Sequence, residues 1–108
     1  MIEAIQIVTT FPAKSAAEEV ALELVRKRLI ACGQVAGPIT SVYRWHETIE
    51  TGEEWTLTMK TRRDLFDAVA EELRRLHSYE VPEILATPVV AGSESYLRWM
   101  GENLVPAQ

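Results

Sequence analysis

The stretch SVYRWHETIETGEEW, Ser41 to Trp55, constrains this chain more than any other. It puts two tryptophans and a tyrosine on what reads as one hairpin. Thr51-Gly52, inside the acidic run Glu47 to Glu54, supplies the expected bend. Tyr43 and Trp45 share one face before it. After it, Trp55, Leu57 and Met59 alternate with Thr56, Thr58 and Lys60, the period-two pattern of a strand. Ile39 to Ile49 alone would span about 36 Å at roughly 3.3 Å per residue. A domain of 108 residues has a diameter of only about 34 Å if treated as a sphere. Such a hairpin overhangs its own domain, leaving backbone edges beside Tyr43, Trp45 and Trp55 that need cover. A second copy of the chain is the simplest cover.

The rest of the chain reads as one domain over residues 1–108. Ile2 to Thr10 is a β-branched strand ended by Pro12. Ser15 and Glu18 form a capping box opening a helix to about Ala31, with Gly33 as its stop. Thr61 and Asp64 suggest a second capping box, followed by Leu65, Val69, Leu73 and Leu76 at helical spacing. Ile84 to Val90 reads as a strand that Pro88 assigns to an edge, and Ser93 caps a short final helix. The order β-α-β-β-α-β-α predicts an α+β, ferredoxin-like sandwich with an extra C-terminal helix.

Composition excludes several functions. A net charge of −5 argues against nucleic-acid binding, which needs clustered lysine and arginine, and weakens attraction to anionic membranes. One cysteine permits no intrachain disulfide, Glu3 stands where a signal peptide carries positive charge, and no apolar run reaches membrane-spanning length. The expected location is the cytoplasm. No phosphate-binding glycine loop or nucleophile elbow occurs, and the chain does not read as an enzyme.

The candidate site residues are few. Cys32 reads as a small buried residue at a helix end, or as a soft donor for Cu(I) or mercury. His77, at the close of the second helix, either orders the turn through its ring nitrogens or faces a cation there, with Glu80 and Glu83 as oxygen donors. Copper binding should then depend on His77 more than on His46, a solvated strand residue. Arg62 and Arg63 at a helix start flank the helix or bind an anion.

Several stretches together resemble CutA, the divalent-cation tolerance proteins: RLIACGQVAGPITSVYRWHETIETGEE, KTRRDLF, LHSYEVPEI and SESYLRWM. The likeness runs from the first strand to the last helix. It implies a ferredoxin-like fold trimerised through long hairpins, with Tyr43, Trp45 and Trp55 at the interface. It also implies copper or another divalent cation, and no organic cofactor, with Cys32 and His77 matching the family's metal-associated positions. Two departures stand out: Ser78 replaces the usual proline after the histidine, and Gly37-Pro38 inverts the usual Pro-Gly. A second reading is a PII-like sensor of a small anion at subunit clefts, using Arg62, Arg63, Tyr43 and Trp45. A third is a scaffold for a protein partner.

Overall fold

The computed structural model describes residues 3–107; Ile2, the expected start of the first strand, lies outside them. Strand β1 is Ala4–Phe11, helix α1 Lys14–Arg26, strand β2 Cys32–Trp45 and strand β3 Thr48–Arg62. A 3-10 turn over Arg63–Leu65 leads into helix α2, Phe66–Leu76. Strand β4, Leu85–Pro88, and helix α3, Glu94–Glu102, complete the chain. One antiparallel sheet runs in the order β2-β3-β1-β4, the ferredoxin-like arrangement. Ile5, Ile7 and Phe11 of β1 and Leu57 and Met59 of β3 are buried with Val20 and Leu24 of α1 and Val69 and Leu73 of α2. Alternate strand residues thus fill one face of the sheet, as the period of two requires. A smaller cluster joins Ala4, Ala31 and Leu65 to Met100 of α3 and to Leu104 just beyond it.

The hairpin is real, but its bend is elsewhere. Trp45 pairs with Thr48, so the turn is His46-Glu47, and Thr51 and Gly52 lie inside β3 opposite Val42 and Ser41. His46 takes φ 57°, the left-handed conformation that tight hairpin turns demand. It is a turn residue, not the strand residue expected. The Thr48 hydroxyl donates to the Trp45 carbonyl at 3.1 Å and helps close the turn. β1 accompanies β3 only as far as the Phe11–Trp55 pair. Beyond it, the pairs from Ile39–Glu54 to Trp45–Thr48 form a two-stranded ribbon of about 20 Å at roughly 3.3 Å per residue. The overhang survives the moved turn. It accounts for a long axis of 45 Å against 25 and 21 Å across.

Neither expected capping box forms. Ala13 is the N-cap of α1 and makes no side-chain bond, so Ser15 lies within the helix. Thr61 and Arg62 continue β3; the buried Thr61 hydroxyl donates to the Leu29 carbonyl at 2.6 Å. Helix α1 ends five residues before Ala31 because Arg28, at φ 60°, closes it. Leu29 N–H donates to the Leu24 carbonyl and Arg28 N–H to that of Val25, the two bonds of a Schellman end. Gly33 belongs to β2, where a Cβ would meet that of Ala21 at 3.1 Å. It brings helix and strand close. Gly37-Pro38, a cis peptide, occupies the irregularity that divides the β2–β3 ladder between Ala36 and Ile39. The edge position of β4 and the Ser93 cap are as expected, with the Ser93 hydroxyl accepting from Tyr96 N–H.

Candidate functional site

The chain leaves α2 through His77, and the ring of this residue organises the loop beyond it. It stacks on the buried Phe11 ring, centroids 4.2 Å apart and 11° from parallel. Nε2 lies 2.7 Å from the Thr10 carbonyl, while Nδ1 lies 3.1 Å from Tyr79 N–H. A carbonyl only accepts and an N–H only donates. The ring is therefore the neutral tautomer with its proton on Nε2. Burial pushes its pKa below the ordinary histidine value, partly offset by the Thr10 carbonyl and the Glu54 charge. Two residues on, the Tyr79 hydroxyl donates to the Glu54 carboxylate at 2.8 Å. Burial raises the Glu54 pKa, but bonds from Ser41, Tyr79 and Thr10, with His77 nearby, outweigh it and hold the carboxyl below its usual range. Burial and the same carboxylate push the Tyr79 phenol well up, so it stays a neutral donor.

This chain of contacts fixes the 77–83 loop against the hairpin, leaving a cleft of about 710 Å³ between them. Tyr43, Trp45, Ser41 and Glu54 come from the hairpin; Tyr79, Glu80, Val81, Pro82 and Glu83 come from the loop. Tyr43 and Trp45 thus line a cleft within one chain, whereas the expected cleft lay between subunits. Trp55 alternates to the other face and packs beneath Gly37, where a Cβ would fall 2.6 Å from its ring. Neither Arg62 nor Arg63 lines this cleft. Arg62 is buried, its Nε donating to Asp64 at 2.6 Å and a terminal nitrogen to the Val105 carbonyl at 2.9 Å. Arg63 points to Glu3 at 3.9 Å. Sequence reasoning missed Glu54 and Tyr79 as a bonded pair because 25 residues separate them.

The expected metal donors do not gather within one chain. Cys32 opens β2 rather than ending a helix, opposite Lys60, and its sulfur is 3.6 Å from the Tyr96 hydroxyl. Lys60 is level with Gln6 of β1, whereas His77 meets Thr10, about 13 Å further along at roughly 3.3 Å per residue. Both ring nitrogens of His77 are already engaged. Among the described residues, no group of three or more His, Cys, Asp or Glu side chains could hold a metal ion. A divalent ion does not fit Cys32, His77, Glu80 and Glu83 as a single-chain set.

The depressed pKa of His77 has a measurable sign. The unfolded histidine, near 6.5, takes its proton before the folded one. Stability is therefore full above that value and lost as pH falls through the window below it. His77→Gln should flatten the slope of stability against pH just below 6.5 in urea titrations. An unchanged slope would assign the effect to another group.

The fold and cleft define a class: small ferredoxin-like chains with an oversized, aromatic β2–β3 hairpin. Residues 5–103 match the model of one family of that class, the CutA1 divalent ion tolerance proteins. The chain belongs to that family. It is 37% identical over 97 residues to the divalent-cation tolerance protein CutA of Thermus thermophilus, covering 90% of this chain and 94% of that one. It is 33% identical over 99 residues to the chloroplastic CutA of Arabidopsis thaliana, covering 92% of this chain but only 54% of that longer protein. The crystal structure of CutA1 from Oryza sativa superposes with a TM-score of 0.95 at 33% identity, over 98% of this chain and 97% of that one. Family names of this kind denote tolerance to metal ions, not an enzymatic reaction.

Proposed function

We propose that this chain works as a cytoplasmic homotrimer in divalent-cation tolerance, binding copper or another divalent ion. The observation that carries the assembly is the projecting ribbon. Val42 and Ile49 are two-thirds exposed on it, and Trp45 and Tyr43 are exposed beside them. Apolar and aromatic side chains on an unsupported two-stranded ribbon call for cover, and an antiparallel ribbon in isolation is marginal in water. Cover by further copies answers both demands.

Family membership supports the metal part, along with the partly buried Cys32, a soft donor. Because the donors of one chain lie apart, a complete ion site in this reading draws on more than one copy. The lone cysteine supports a reducing compartment. The anion-sensing alternative loses Arg62 to its buried partners, and the cleft beside Tyr43 carries carboxylates in place of the expected arginines.

Sedimentation combined with Cu(II) and zinc titration tests the proposal. The expected result is a species of about three times the 12.2 kDa chain mass with saturable metal binding. Monomers or dimers at every concentration, or no saturable binding of any divalent ion, would overturn it. Comparing His77→Ala with His46→Ala locates the donors. Coordination by His77 would have to displace the Thr10 or Tyr79 contact.

A further inference from the structure

Helix α3 is attached to the molecule lightly. Of its nine described residues Met100 is buried, while Tyr96 and Trp99 stay exposed. Met100 and the following Leu104 pack with Ala4, Ala31 and Leu65, in a cluster separate from the main core. A helix of nine residues is too short to stand alone in water, so its stability rests on those contacts. Behind it the tail is tied down through Val105. The Val105 carbonyl accepts from the buried Arg62 at 2.9 Å, and its N–H donates to the Arg28 carbonyl at 3.0 Å. Ahead of the helix the chain is fixed at Val89, whose N–H donates to the Ala4 carbonyl. Residues 90–92, between Val89 and the Ser93 cap, are exposed and have no regular structure.

Beside this helix lies the one cysteine of the chain. The Tyr96 hydroxyl stands 3.6 Å from the sulfur of the partly buried Cys32. Elements held by few apolar contacts open at a smaller free energy than the whole fold. A swing about residues 90–92 would break the small cluster and both Val105 bonds, and would leave the main core whole. We propose that α3 and its tail form a lid over Cys32, hinged at residues 90–92 and latched by Val105 on Arg62, whose opening sets when the thiol meets solutes. The lid packs where β3 finishes, away from the hairpin turn, so its motion leaves the ribbon and its cover untouched. A soft metal on its way to Cys32 would wait on the same motion. That consequence rests on the metal reading above; the lid itself does not.

The test is the rate at which dithiodipyridine, a neutral aromatic disulfide, labels Cys32 in the native assembly across a range of urea. Labelling slower than that of free cysteine, and almost independent of urea below the unfolding transition, is expected, because a local opening exposes little surface. Leu104→Ala, which empties the tail's buried anchor, should speed labelling about thirtyfold. Arg62→Lys keeps the charge but loses the fork that reaches both Asp64 and Val105, and should speed it about tenfold. Ile7→Val, in the main core, weakens the open-lid and closed-lid forms alike, so the rate at low urea should not change. Labelling as fast as free cysteine, or labelling that tracks global unfolding at every urea concentration, would overturn the proposal. So would parental rates in both Leu104→Ala and Arg62→Lys, or equal acceleration by Ile7→Val and Leu104→Ala. No metal enters the assay, so a failure of the metal reading would leave these results standing.

Discussion

Phe11→Ala should destabilise the protein by about 3–5 kcal/mol, the range for emptying a buried aromatic site. The ring is 2% exposed, sits in the main cluster at the end of β1 and supports the stacked imidazole of His77. Removing it opens a cavity and takes the floor from beneath the residue that fixes the cleft loop. Urea unfolding at a fixed protein concentration measures the effect, since assembly makes the midpoint depend on concentration. The midpoint should fall with its slope retained. Amide exchange in the 77–83 loop should rise more than the global loss alone explains. A loss below about 1 kcal/mol would mean that the site collapses around the smaller side chain.

Trp45→Ala separates the fold from the assembly. Within one chain the indole is 41% exposed, and its ring contact is the edge of His46 at 5.0 Å. It takes no part in the main core cluster. A lone chain should therefore lose little, and its circular dichroism should remain that of the parent. If neighbours cover the ribbon as proposed, the assembly loses a buried indole at each junction. Its thermal transition should then fall by the equivalent of about 3–5 kcal/mol, with lighter species in sedimentation. An unchanged transition would place the indole in water.

The two histidines show how far the sequence could be read. The α/β order was legible because each element carries its own period, and the Ser93 start of α3 because a serine stands where the cap is needed. The hairpin turn was not, because His46 takes the left-handed conformation without the glycine or asparagine that usually announces it. Arg28 hides the end of α1 in the same way. Both positions are settled by the strands and helices on either side rather than by local preference. His77 was placed correctly at a helix end, yet its partners Thr10 and Phe11 are more than 60 residues away in the chain. No spacing rule reaches them. That Tyr43 and Trp45 share a face followed from strand alternation, while their meeting with Tyr79, Glu80 and Glu83 depends on the loop folding back.

The tail after α3 has a mechanical meaning. Val105 accepts from Arg62 through its carbonyl and donates to Arg28 through its N–H, while Arg63 N–H donates to the Glu3 carbonyl. Both described ends of the chain are thus moored where β3 finishes, and β3 itself runs from there to the hairpin turn. The molecule is polar in the way a plug is, with its terminal attachments at one pole and its projecting ribbon at the other. Sequence joined to either described end would leave from the moored pole, the far end of β3 from the hairpin turn. A reporter fused there would leave the ribbon clear.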